Sequence, residues 1–173
     1  FIVWNYLWRA GASIVHNHAQ VLLTHRPYAA PARIEQAREE YRCRYGCEYY
    51  DDLFSAHVAI GLGLAYRGAR VMAYLTPRKE HEVAIITESP HDIAPALAKV
   101  LACYRNIGVQ SYNAAVYMPP LGEEGHYVTW VVDRGDLHSR TSDIGGMELY
   151  AGTPVVTSDP FRLMEHLTAV MLP

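Results

Sequence analysis

The residues of this chain that could do chemistry are concentrated in a short stretch near its N-terminus. Residues 16–20, with the sequence HNHAQ, place two imidazoles and an amide close together, and the hydroxyl of Ser13 lies just upstream. β-Branched and apolar residues flank the stretch, so the sequence predicts a strand. Because side chains alternate along a strand, His16, His18 and Gln20 are predicted to share one face.

Three interpretations fit this pattern. Alternating polar residues can form the solvent face of a half-buried strand. Histidines two positions apart on a strand can also reach one metal ion together. The third interpretation is a nucleophilic imidazole that is surrounded by amide and hydroxyl donors for a phosphate. Gly11 and Ser13 favour this third interpretation, because glycine lets the backbone approach an anion and serine adds a donor.

The segment resembles the active-site segment of the galactose-1-phosphate uridylyltransferase family, a branch of the histidine-triad superfamily. The family pattern is an Asn, then Gly-x-Ser, then His-x-His-x-Gln. The matching residues here are Asn5, Gly11, Ser13, His16, His18 and Gln20. The Ala-Gly-Ala-Ser version and the tail 145–153 are most similar to members that resemble ADP-sugar phosphorylases. Asn17 stands where Pro or Ser is commoner in the family, and Leu7 stands where the family usually has Gly.

This resemblance implies an enzyme, a nucleotidyltransferase or phosphorylase that acts on a nucleoside diphosphate sugar through a covalent nucleotidyl-histidine. His18 matches the family's second histidine and is the implied nucleophile. Asn5, Gly11, Ser13 and Gln20 are the implied substrate-binding residues, with the amide of Gln20 directed at a phosphate oxygen. The resemblance leaves open whether the acceptor is phosphate or a sugar phosphate, and whether the base is uridine or adenosine.

The order of predicted elements indicates an α+β protein. We predict strands at the N-terminus and over 61–66, 70–76, 82–87, 110–117 and 126–132, and helices over 32–42, 51–60, 90–106 and 159–171. The resemblance implies a histidine-triad-like antiparallel sheet with a long covering helix, preceded by the terminal strand of a first similar domain. Residues 1–30 would then be the end of a truncated catalytic domain, and residues 31–173 a second domain. The chain is thus expected to be the C-terminal portion of a longer protein, with little activity as a fragment.

The resemblance suggests zinc as a possible cofactor. Zinc-containing members combine the first histidine, here His16, with an upstream Cys-x-x-Cys and His that are absent from this chain. His16 is therefore open between a metal ligand and an orienting or packed residue. A second zinc site would use Cys43 or Cys47 with His91 and His126, and packed or solvent-facing side chains are the alternative.

Composition restricts the partners. The 173 residues carry 15 Lys+Arg and 18 Asp+Glu, a net charge of −3, which predicts no surface for nucleic acid. The sequence has no apolar run long enough for a membrane span, and its three cysteines, an odd number, suit a reducing cytoplasm. We therefore expect a cytoplasmic protein. The resemblance implies that it binds a nucleotide sugar and a phosphate or sugar phosphate. The resemblance also implies that the protein forms a homodimer.

Two other functions remain open at this point. The first is a non-catalytic nucleotide-binding homologue with decayed sites, in which the second domain is retained for dimerisation. The second is a metal-dependent hydrolase that uses His16 and His18 as ligands.

The charged segment after the last sheet strand, with Asp133, Arg134 and Arg140, is interpreted as a surface loop, with phosphate contact as its alternative.

Overall fold

A computed structural model describes residues 1–140 and 144–172, and its strands form one seven-stranded sheet. The strands are β1 (Ile2–Tyr6), β2 (Ala19–Val21), β3 (Gly63–Tyr66), β4 (Ala69–Ala73), β5 (Val83–Thr87), β6 (Tyr112–Tyr117) and β7 (Tyr127–Asp133). Their order in the sheet is β2-β1-β6-β7-β5-β4-β3, and all neighbouring strands are antiparallel. The four α-helices are α1 (Ala29–Tyr45), α2 (Tyr49–Ala59), α3 (Ile93–Asn106) and α4 (Pro160–Met171).

Helices α3 and α4 cover one face of the sheet. α3 buries Val100, Cys103 and Tyr104, and α4 buries Leu163 and Leu167, all in a single core with alternate residues of the strands. Removal of these apolar side chains from water is the main force that holds the helices on the sheet. This layer is the covering helix that the resemblance implies, and the α+β prediction is confirmed.

The opposite face is covered only in part. Ile34 of α1 and Leu53 and Phe54 of α2 pack on Met72 and Ile86, in a second apolar cluster over the strands on the β3 side of the sheet. Toward the other edge, β6 alternates between buried residues and partly exposed ones. The partly exposed residues are on this opposite face. We call the uncovered part, with Val3, Asn5, Gln20, Asn113 and Ala115, the open face.

Most predicted elements are present, but the strand predicted around the two histidines is wrong in its extent. β2 begins only at Ala19, so His16 and His18 lie in the preceding segment. The backbone there turns through a 3₁₀ helix at Trp8–Ala10 and the left-handed Gly11, which delays pairing with β1. The flanking apolar residues that suggested a longer strand, Val15 among them, are exposed.

β1 and β2 are continuous with the sheet that residues 31–173 supply, because β1 pairs directly with β6. The domain boundary at residue 30 stays a prediction.

Within residues 1–140 and 144–172, no helix combines the length and apolar composition that crossing a bilayer requires.

Candidate functional site

The pairing of β1 with β2 brings the segment that carries His18 to the end of β1 that carries Asn5. The ladder pairs Val3 with Gln20 and Trp4 with Ala19. His18 directly precedes Ala19, the last residue of this ladder, and therefore lies at the end of the pair where Asn5 follows Trp4. Residues directly opposite each other in an antiparallel pair share a face, so Gln20 and Val3 lie on the open face together with Asn5. The structure therefore brings three of the predicted site residues to one end of this face.

The ring of His18 is held by a hydrogen bond to its own segment. Its Nδ1 lies 3.0 Å from the backbone carbonyl oxygen of His16. A carbonyl oxygen only accepts, so Nδ1 carries a hydrogen, and in the neutral ring the lone pair is then on Nε2. His18 is partly exposed, which leaves Nε2 accessible to a substrate. This tautomer is the one that a nitrogen nucleophile needs.

The turn between β1 and the histidines is strained at Leu7. Leu7 has φ 66° and ψ 173°, a conformation found almost only in glycine, and Gly11 closes the turn with φ 83°. The Leu7 carbonyl accepts hydrogen bonds from Ala10 N–H at 3.1 Å and Ala12 N–H at 3.2 Å. The backbone thus keeps the shape that a glycine would adopt without strain. Ser13 follows this turn and is exposed.

Asn113, on the neighbouring strand β6, ties the turn to Asn5. Its Nδ2 donates to Asn5 Oδ1 at 2.7 Å and to the Ala10 carbonyl at 2.9 Å, and its Oδ1 accepts from Arg134 Nη1. Since Asn5 Oδ1 is used in this way, its Nδ2 is left as the donor, and no acceptor for Nδ2 is found within the described ranges. Asn113 was not among the site residues predicted from the sequence, and the interpretation of Arg134 as a surface loop residue missed this contact.

His16 contributes through its backbone. Its carbonyl orients His18, whereas its own side chain is exposed and therefore not packed in the core. The orienting role left open from the sequence is thus supplied by the main chain.

The side chains proposed for the second zinc site do not converge. Cys47 Sγ donates to Asp52 Oδ2 at 2.9 Å, and this hydrogen bond, followed by burial, raises the thiol pKa and favours the protonated form. The ring of His126 packs edge-on against Tyr50, 5.3 Å between centroids, and burial lowers its pKa. His91 is exposed at the start of α3.

Across residues 1–140 and 144–172, no group of three or more His, Cys, Asp or Glu side chains is arranged to hold a metal ion. Cys43 is also directed elsewhere, with its Sγ 3.6 Å from Glu39 Oε1. The zinc ligand set of Cys47, His91 and His126 therefore does not fit this arrangement, and neither does a metal centre built on His16. Zinc stays a prediction without support from the side chains that the structure describes.

Several solved structures with the same fold are longer than this chain. A uridylyltransferase superposes with a TM-score of 0.82 at 16% identity, over 99% of this chain and 60% of that protein. A GalT-like protein from Arabidopsis thaliana gives 0.75 at 18% identity, over 96% and 59%. ADP-glucose phosphorylase from Arabidopsis thaliana, solved with bound ADP-glucose, gives 0.72 at 16%, over 96% and 57%.

This chain therefore spans about 60% of the length of the uridylyltransferase. No protein-family profile and no curated protein matches the sequence. The structural likeness confirms the fold that the resemblance to the galactose-1-phosphate uridylyltransferase family implies.

Proposed function

We propose that this chain is part of a nucleotidyltransferase that acts on a nucleoside diphosphate sugar through a covalent nucleotidyl-histidine at His18. The observation that carries the proposal is the hydrogen bond from His18 Nδ1 to the His16 carbonyl, in the segment that leads into β2 at the end of β1 where Asn5 lies. It leaves the lone pair of Nε2 on the neutral ring available to a substrate. A solvent-facing strand would not require this arrangement. The same bond would also orient a metal-binding imidazole, but no group of three or more His, Cys, Asp or Glu side chains within residues 1–140 and 144–172 is arranged to hold a metal ion.

In the first step, His18 Nε2 attacks the α-phosphorus of the nucleotide sugar. A P–N bond forms, and the bond between the α-phosphorus and the bridging oxygen breaks, so a sugar 1-phosphate leaves with the electron pair. Negative charge builds up on the α-phosphate oxygens in the transition state. The amide groups of Asn5 and Gln20 and the hydroxyl of Ser13 are the donors that we assign to this charge.

In the second step, an oxygen of the acceptor phosphate attacks the phosphorus of the nucleotidyl-histidine. The P–N bond breaks, and its electron pair returns to Nε2 of His18, which regenerates the free imidazole. The reaction is a phosphorolysis if the acceptor is inorganic phosphate and a transfer if it is a sugar 1-phosphate. The ADP-glucose phosphorylase and the uridylyltransferase with this fold have names that match these two outcomes.

Three further features belong to this proposal. Both substrates are anionic small molecules, and we propose no nucleic acid or membrane partner, in keeping with the net charge of −3. We propose a homodimer in the cytoplasm, as the resemblance implies. The remaining part of the nucleotide pocket would come from chain outside these 173 residues.

The test is covalent labelling of the full-length protein with UDP- and ADP-sugars that carry ³²P in the α-phosphate. A nucleotidyl-histidine is labile to acid and stable to base, and we expect such an adduct with at least one nucleotide sugar. His18→Ala should abolish it. His25→Ala is the matched control, because His25 is an exposed histidine of the segment after β2. The proposal fails if neither nucleotide sugar labels the protein, or if His18→Ala labels as well as the wild type.

A further inference from the structure

The side chain of Asn113 contacts two separate segments of the candidate site. Asn113 of β6 lies directly opposite Asn5 of β1 in the ladder, so the two amides share the open face. Its Nδ2 donates to Asn5 Oδ1 at 2.7 Å and to the carbonyl of Ala10 at 2.9 Å, in the turn between β1 and the two histidines. One side chain therefore holds both the strand and the turn.

Two neighbours fix the direction of the Asn113 amide. The Ala10 carbonyl only accepts hydrogen bonds, so the amide atom that faces it is Nδ2. The Arg134 guanidinium only donates, so the amide atom that faces it is Oδ1. Reversal of the amide would set a donor against a donor on one side and an acceptor against an acceptor on the other. The Asn113 amide thus has one favourable orientation.

This orientation is passed on to Asn5. Because Asn113 presents a donor, the Asn5 atom that meets it is Oδ1, and Nδ2 of Asn5 is directed elsewhere. Asn5 is partly exposed on the open face, and no acceptor for its Nδ2 is found among residues 1–140 and 144–172. The hydrogen bonds run in one direction, from Arg134 through Asn113 to Asn5, and each polarises the next. The chain ends in an N–H and not in a carbonyl oxygen.

We propose that Asn113 is a positioning residue for the reaction: it holds the Asn5 amide so that Nδ2, and not Oδ1, faces a phosphate oxygen. The role rests on the proposed function, in which Asn5 donates to the charge that builds up on the α-phosphate. A donor that is held in advance needs no reorganisation in the transition state, whereas a carbonyl oxygen in its place would repel the same charge. Asn113 acts through Asn5 and not on the substrate.

Two substitutions of Asn113 distinguish positioning from packing. Asn113→Asp keeps the shape of the side chain and an acceptor for Arg134, but it replaces the donor with a carboxylate oxygen. The Asn5 amide is then expected to reverse, with its Nδ2 donating to the new carboxylate and its Oδ1 facing the substrate. Asn113→Ala instead leaves the Asn5 amide free to adopt either orientation.

Covalent labelling of the full-length protein at saturating nucleotide sugar measures the difference. Asn113→Asp should slow adduct formation roughly 10²- to 10³-fold, the range for loss of one such donor. Asn113→Ala should slow it only about 2- to 5-fold, because the productive orientation stays populated. A residue that only packs would give the reverse order, since an aspartate has nearly the shape of an asparagine. In the background of Asn5→Ala the two variants should label at equal rates.

The matched control is Asn106→Asp, which adds the same charge at an exposed asparagine at the end of α3. It should label at the wild-type rate. Thermal melts establish that each variant is folded.

The direction of the Asn5 amide can be measured without the reaction. In ¹⁵N-labelled full-length protein, loss of a side-chain NH₂ signal in Asn5→Ala assigns that signal to Asn5. The Asn5 NH₂ protons should exchange rapidly with water in the wild type, because no protein group accepts from them. They should exchange more slowly in Asn113→Asp, in which the carboxylate accepts from them.

The outcomes separate this inference from the proposed function. Slow exchange of the Asn5 NH₂ protons in the wild type would overturn the assigned orientation, whether or not any variant folds. Adduct formation in Asn113→Asp that is as fast as in Asn113→Ala would overturn the positioning role. If the wild type forms no adduct while the Asn5 signals behave as expected, the proposed function fails and the positioning role fails with it, whereas the orientation of the two amides stands.

Discussion

Two regions of this molecule carry side chains that the sequence suggests as a site, histidines in one and cysteine with histidine in the other, and their hydrogen bonds differ. At the His18 end of the open face, Nδ1 of His18 and Oδ1 of Asn5 are bound by the protein, which leaves Nε2 and Nδ2 for a substrate. On the α1–α2 side, Cys47 donates to Asp52, and His126 packs against an aromatic ring. Both regions were candidates for a site from the sequence, but Cys47 in the second is held by a carboxylate, whereas the hydrogen bonds described in the first leave His18 Nε2 and Asn5 Nδ2 uncommitted.

This difference follows from where each region lies. β2 is at the edge of the sheet, and the open face beside it has no covering helix, so polar groups there can remain unpaired at little cost because water reaches them. The α1–α2 side is a packed layer, in which an unpaired polar group would be costly. The thiol of Cys47 and the imidazole of His126 therefore make contacts within the protein.

The largest expected effect comes from replacing His18, the proposed nucleophile, in comparison with Cys47, the candidate zinc ligand of the other region. His18→Ala should lower adduct formation on the order of 10⁴-fold or more, because it removes the group that forms the covalent bond. Cys47→Ala should leave adduct formation within about twofold of the wild type, since a change on the structural side acts on stability rather than on the reaction. Equal losses in the two variants would remove the distinction between the regions. Quench-flow labelling with a nucleotide sugar measures both.

A large stability effect is expected at an ion pair next to the α1–α2 cluster. The fully buried carboxylate of Glu82 accepts from the Arg78 backbone N–H at 2.6 Å and from Arg78 Nε at 2.8 Å, and the guanidinium stacks 4.4 Å above Trp130. Arg78→Met should lower the free energy of unfolding by about 3 kcal/mol, because it leaves a buried charge without its partner. Urea denaturation measures this change.

The double variant Arg78→Met/Glu82→Gln provides the control, because it removes the uncompensated charge. We expect it to be more stable than Arg78→Met alone. If the double variant loses further stability instead, the cost does not come from the buried carboxylate.

A smaller effect on the free energy of unfolding, a gain in stability, is expected at Leu7 in the turn that precedes the two histidines. Leu7→Gly should raise the free energy of unfolding by about 1 kcal/mol, because relief of the strained backbone outweighs the greater chain entropy of glycine. Leu7→Ala keeps a Cβ at φ 66° and should give no gain. A loss of stability in Leu7→Gly would show that the turn is not strained.

The smallest effect is the pH dependence that His126 contributes. Burial first, and the nearby Arg38 second, hold its pKa below the usual 6.5, so the folded state favours the neutral ring. As pH falls, the unfolded chain takes up this proton first, and the stabilisation present above about pH 6.5 is lost. His126→Gln should therefore reduce the fall in unfolding free energy between about pH 7 and pH 5. An unchanged slope would indicate that the ring is solvated.

Local patterns predicted much of the fold. The β-branched run 82–87 and the amphipathic helix 90–106, with Ser89 before it, are close to the observed β5 and α3. These elements depend on residues that are neighbours in sequence, so their signals survive in one chain. The extent of β2 was wrong because its end depends on the turn that begins at Leu7, and apolar flanks carry no information about that backbone.

The candidate site likewise has features that the local sequence predicted and contacts that it did not. The spacing of His18, Gln20 and Ser13 behind a glycine predicted phosphate chemistry, because those groups lie within one short segment. The contacts of Asn113 with Asn5 and with Arg134 were not predictable, since they join residues 108 and 21 positions apart. Such pairs depend on the order and register of the strands, which no local pattern specifies.

The sequence alone therefore determined which groups are available for chemistry and which segments form strands and helices, because both depend on residue type and short-range periodicity. Only the tertiary structure decided which of those groups keep free lone pairs and donors. The register of β1 with β2 and β6 places His18, Asn5 and Asn113 at one uncovered end of the sheet. The packing of α1 and α2 directs Cys47 into a hydrogen bond and His126 onto an aromatic ring. A polar side chain binds a ligand only where the rest of the fold leaves it unsatisfied and accessible.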